Sequence, residues 1–80
     1  MKTSEIKTGM YLNFDYHGPL GVSYDRDFYV ERIADGVMFG WERNRSYPIA
    51  FPMNGGILKG LGWLGFDEVD RINFWSSIER

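Results

Sequence analysis

Two runs of β-favouring residues, 28–33 (FYVERI) and 37–43 (VMFGWER), are separated only by Ala34-Asp35-Gly36. Asp-Gly at such a junction supplies the positive φ angles that a tight antiparallel turn needs, so the segment predicts a β-hairpin. That commits the middle of the chain to antiparallel sheet and restricts what its flanks can add. On the second run Val37, Phe39 and Trp41 share one face and Met38, Gly40 and Glu42 the other. The face with Trp41 is expected to point into the core.

Upstream, residues 10–16 (MYLNFDY) alternate Met10, Leu12, Phe14 and Tyr16 with Tyr11, Asn13 and Asp15, the period of a half-buried strand. Residues 17–27 (HGPLGVSYDRD) hold a proline, two glycines and several polar turn formers, and are expected to form a long loop. Downstream, Asn44-Arg45-Ser46 reads as a turn and residues 47–51 (YPIAF) as a short fourth strand, with Pro48 placing it at an edge or a strand start. Beyond Pro52, Asn54 is placed to cap a helix whose apolar positions Ile57, Leu58, Leu61 and Leu64 keep a three-and-four spacing, with Gly65 as its stop. Glycines at 55, 56, 60 and 62 weaken that helix by about 1 kcal/mol each relative to alanine, so it needs the sheet to form. Residues 69–75 are rich in β-favouring types and are expected to be the closing strand.

These elements define one domain over residues 1–80 of α+β, mostly β class. The expected architecture is a strongly bent antiparallel sheet or small SH3-like barrel of about five strands with one short helix. Eighty residues without cysteine have no disulfide or thiolate staple, so stability must come from buried apolar area at about 25 cal/mol per Å². Six Phe, five Tyr and three Trp supply it.

The segment KTSEIKTGMYLNF, the central hairpin from Phe28 to Trp41, YPIAF, and an apolar stretch ending Leu64-Gly65-Phe66 together resemble a group of small uncharacterised proteins of bacteriophages and mobile elements. In that group an N-terminal sheet is followed by a Pro-Ile strand, a helix and a Leu-Gly-Phe turn. The chain departs from it at Asn54-Gly55-Gly56, where acidic first-turn residues are expected. The resemblance implies the fold and a phage-borne accessory or inhibitor role, and it implies no catalytic residue.

Charge and residue types exclude several functions. Residues 1–40 carry four basic and six acidic groups and residues 41–80 five of each, so no basic arm marks a non-specific nucleic-acid binder. Residues 1–8 lack the apolar run of a secretory leader and no stretch approaches membrane-spanning length, so a cytoplasmic protein without membrane contact is expected. His17 is the single histidine, and with Thr8, Ser23 or Ser46 it is the only available base for a nucleophile; beside Gly18-Pro19 it reads as an exposed imidazole. One histidine and no cysteine leave zinc without a ligand set. The acidic clusters Asp25-Arg26-Asp27 and Asp67-Glu68-Val69-Asp70 lack calcium-loop spacing and read as solvated faces. A carboxylate enzyme built on Asp25, Asp27 and Asp70 is the reading they would otherwise support. No enzyme activity, metal or cofactor is expected.

What remains is the aromatic excess. A core of this size does not easily hide fourteen rings, and Tyr, Trp and Arg are the types enriched at interface hot spots. Tyr24, Arg26, Tyr29, Trp63 and Trp75 are therefore the candidate partner-binding residues, docking a protein partner or a second copy of the chain. The alternative is a single-stranded nucleic-acid surface made by Arg43, Arg45 and Tyr47 beside Trp41, where cations and stacking rings would combine.

Overall fold

The computed structural model describes residues 1–78. A 3-10 turn at Thr3–Glu5 precedes strands β1 (Tyr11–Gly18), β2 (Gly21–Ala34), β3 (Val37–Glu42), β4 (Ile49–Pro52) and β5 (Leu58–Trp63), and a helix α1 (Glu68–Ser76) follows. The strands form one antiparallel sheet in the order β4-β3-β2-β1-β5. Mostly-β class, five strands and one short helix match the sequence expectation, and so does the hairpin at Asp35-Gly36. Both turn residues have positive φ, 53° and 74°.

The sheet is bent sharply over its first face. β1 and β4 are three strand spacings apart, roughly 14 Å across a flat sheet, yet the rings of Tyr16 on β1 and Phe51 on β4 lie 4.9 Å apart. Leu12, Phe14, Phe28, Val30, Met38, Phe51 and Leu58, one or more from every strand, pack there with Ile6. Phe14, Phe28 and Phe51 meet edge-to-face at 5.2–6.1 Å, the geometry that ring quadrupoles favour. Three bulges supply the bend: the register shifts between Phe14 and Tyr16 opposite Asp25, between Asn13 and Asp15 opposite Gly60, and between Val30 and Arg32 at Glu31. Gly40 is required where β3 crosses β2, because a Cβ there would run into the Tyr29 carbonyl oxygen and come within 3.0 Å of the Phe28 ring.

The second face of the sheet is covered at one end. α1 lays Phe74 over Tyr11, and with Ile78 they form a second buried cluster that Tyr29, Trp41, Leu64, Phe66 and Trp75 enclose. Trp75 Nε1 donates to the Tyr11 hydroxyl at 2.8 Å, and Trp41 Nε1 donates to a Glu31 carboxylate oxygen at 2.8 Å. Trp41 thus faces the helix, while the first core takes Met38 from the opposite side of β3, the reverse of the expected orientation.

Three further expectations are corrected. Residues 17–27 are not a loop: β1 continues to Gly18 and β2 starts at Gly21, leaving only Pro19-Leu20 between them, with Gly21 at φ 120°. Residues 54–64 hold no helix. Gly55, Gly56 and Gly60 take φ of 67°, 67° and 60°, outside the right-handed helical region. The bulge at Gly60 reverses the alternation of β5, so Leu58 and Leu61, three apart, both pack on the first core. A bulged strand thereby imitates helical spacing. Residues 69–75 are helix, not strand. Asp67 accepts the Asp70 amide at 2.8 Å while Asp70 accepts the Asp67 amide at 3.2 Å, a reciprocal cap that satisfies two free donors at the helix start.

Candidate interaction surface

α1 covers only one end of the second face. Along β1 and β2, that face carries Tyr11 and Tyr29 under the helix and then a polar belt. In the belt, Asp27 accepts from Asn13 Nδ2 at 2.7 Å and from Arg43 Nε at 2.9 Å. Arg43 also stands 5.5 Å from the ring centroids of Phe66 and Phe74, closing the aromatic cluster with a cation. Beyond the belt the hairpin continues without cover. His17 pairs with Val22, and the His17 and Tyr24 rings meet edge-to-face at 6.5 Å. Tyr24 is 68% exposed, Val22 47%, and Leu20 at the turn is fully exposed.

The backbone that presents this end is fixed. Asp25 has φ 51°, and its amide donates to the Asp15 carboxylate at 3.0 Å, which holds the bulge beside Tyr24. On the other side the His17 amide donates to the Ile57 carbonyl at 2.8 Å. The hairpin end is therefore a braced projection with apolar side chains outermost and the carboxylates of Asp15 and Asp25 alongside.

The candidate partner-binding residues do not form one surface. Tyr24 belongs to the hairpin end. Trp63 is 65% exposed at the far end of β5, in a groove with Met1, Ser4, Glu5, Lys7 and Met10. Arg26 projects to the first face, pairs with Glu42 at 2.5 Å and lies 5.1 Å from the Phe51 ring. Tyr29 and Trp75 stand 5.0 Å apart inside the helix-covered cluster. A second shallow groove, between α1 and Tyr11, is bordered by Glu68, Arg71, Ile72, Trp75 and Ser76. Val69 and Ile72, both more than half exposed, lie on the outer side of α1.

Of the two cations in the nucleic-acid alternative, one is closely paired. Arg43 is bound to Asp27, whereas Arg45, 3.7 Å from Glu42, stays exposed together with Tyr47. Of the carboxylates, Asp27 is held by Arg43 and Asn13, and Asp67 and Asp70 cap α1. Among the described residues, no three His, Cys, Asp or Glu side chains gather to hold a metal ion. No helix of the described residues is long and apolar enough to cross a membrane.

Sequence reasoning missed Leu20 and Val22, because a segment read as a loop has no faces to assign. The readable signal was the alternation Val22-Ser23-Tyr24 following a Gly-Pro-Leu-Gly turn. No protein-family model matches the chain, and comparison with curated proteins and with solved structures found no match.

Proposed function

We propose that the chain is a non-enzymatic protein-binding module, of the kind phages and mobile elements carry as inhibitors or accessories, that acts in the cytoplasm by sterically covering part of a larger host machine. The supporting observation is the uncovered end of the β1–β2 hairpin, where Leu20, Val22 and Tyr24 stand in solvent on a braced backbone. Apolar side chains gathered on a rigid projection are what an interface anchor requires, since little order has to be imposed on binding. Asp15 and Asp25 beside the tip favour a partner whose apolar hollow is rimmed by basic side chains. The remaining candidates act behind this surface: Arg26, Tyr29 and Trp75 hold the fold that presents it, and Trp63 offers a separate contact.

The strand order, with β5 beside β1, and the bend that brings β4 to β1 support an SH3-like small barrel as the fold type. The non-enzymatic reading rests on composition, with one histidine and no cysteine.

The test is capture from host lysate by the tagged chain, with and without nuclease, eluted over a salt gradient and compared with the double variant Leu20→Ser, Tyr24→Ser. A stoichiometric protein that survives nuclease and is lost with the double variant supports the reading. Capture unchanged by the double variant removes the hairpin end as the docking surface. Nucleic acid that leaves as salt rises moves the function to Arg43, Arg45 and Tyr47.

A further inference from the structure

The β4–β5 connection contains Asn54-Gly55-Gly56, and all three residues are exposed. Among the described residues, the Gly55 amide makes no hydrogen bond. Space beside it is open: a Cβ on Gly55 would meet nothing within 4 Å. Both glycines have φ of 67°, and glycine crosses between backbone conformations without the steric barrier that a side chain imposes. The Gly55 nitrogen is thus an unblocked nucleophile, next in the chain to an exposed carboxamide.

The geometry points to Asn54 as a site of spontaneous covalent modification. The Gly55 nitrogen, after giving its proton to hydroxide, attacks Asn54 Cγ. The bond from Cγ to the side-chain nitrogen breaks, that nitrogen takes back a proton from water, and ammonia leaves, closing a succinimide ring and regenerating hydroxide. Water then opens the ring at either carbonyl, giving aspartate or isoaspartate. One water is consumed, one ammonia is released, and nothing is oxidised or reduced.

The other three asparagines are each protected by the fold. Asn13 lies in β1 between β2 and β5, with its side chain bound to Asp27. Asn44 precedes Arg45, whose amide is already donated to the Glu42 carbonyl. Asn73 lies within α1, ahead of the fully buried Phe74. The two consequences are local. Modification places a carboxylate in a turn that already has the Lys59 ammonium over it, 3.4 Å from where a Gly56 Cβ would stand. Isoaspartate also lengthens the main chain three residues before Ile57, whose carbonyl braces the hairpin through His17.

The test is incubation of the folded chain at neutral and mildly alkaline pH, followed by charge-resolved separation and peptide mass mapping. The expected result is an acidic species that accumulates faster at higher pH. It should carry the mass gain of an amide-to-acid exchange at Asn54 and be absent from Asn54→Gln. A urea-unfolded sample supplies the intrinsic rate of the same segment. If that sample converts while folded Asn54 stays intact, or if Asn13, Asn44 or Asn73 converts first in the folded chain, the inference is overturned.

Discussion

Replacing Phe74 and Ile72 by alanine, one at a time, tests how the C-terminal segment is packed. In a strand, residues two apart share a face and the two substitutions would have similar costs. In α1 they point to different sides: Phe74 is fully buried against Tyr11, Phe66 and Trp75, whereas Ile72 is 56% exposed. Losing the buried ring forfeits about 1.5–3 kcal/mol of transfer free energy. A residual void of roughly 50 Å³ would add about 1.2 kcal/mol at the cavity coefficient of ~24 cal/mol per Å³. Phe74→Ala should therefore cost about 3–4 kcal/mol, much of the ~4–12 kcal/mol expected for a domain of this length. Ile72→Ala should fall within about 0.5 kcal/mol of the parent, because the small apolar loss is offset by alanine's higher helix propensity. Urea titration followed by far-ultraviolet circular dichroism reads both values, provided the slope with denaturant is unchanged. Equal costs for the two variants would refute the helical packing, and with it the account of the second core.

Gly40→Ala should destabilise the chain by at least about 1–3 kcal/mol, because the added methyl meets the Tyr29 backbone and no rotamer change relieves it; thermal or urea unfolding measures it. Asp67→Ala removes the cap of α1 and should cost about 1 kcal/mol, read in the same way. Glu42→Gln weakens the pairing of Arg26, whose Nε already has no partner, and should cost about 1.5–3 kcal/mol by urea titration. Leu20→Ser with Tyr24→Ser should leave stability within about 0.5 kcal/mol of the parent, so any loss of partner capture is attributable to the surface.

The sequence was most legible where a single residue pair determines geometry. Asp35-Gly36 identified the hairpin, and strict alternation identified the strand through Leu12 and Phe14. Misreadings arose where the local pattern carried two meanings. Leu58 and Leu61 are three apart because Gly60 adds a residue to the strand, and that spacing cannot be told from a helix before the bulge is known. The Asp67 to Asp70 cap is present in the sequence, but the same four residues also read as a solvated acidic face. For the site, Tyr24 and Trp63 are exposed as their aromatic character suggested. Tyr29 and Trp75 are not free, because a sheet with a cluster on each face hides more rings than one with a single core. Most of the rings divide between two clusters, and only the second depends on where α1 docks.

The two outer strands of the sheet carry a further consequence. An unpaired strand edge invites another chain to continue the ladder, the first step of fibril growth. β4 is bracketed by Pro48 and Pro52, and proline offers no amide to an incoming strand. β5 bears Lys59 and is bulged at Gly60, which breaks the even spacing that a flat partner would need. The same chain therefore leaves leucine, valine and tyrosine exposed at its hairpin tip while both outer edges of its sheet are poorly suited to lengthen the ladder.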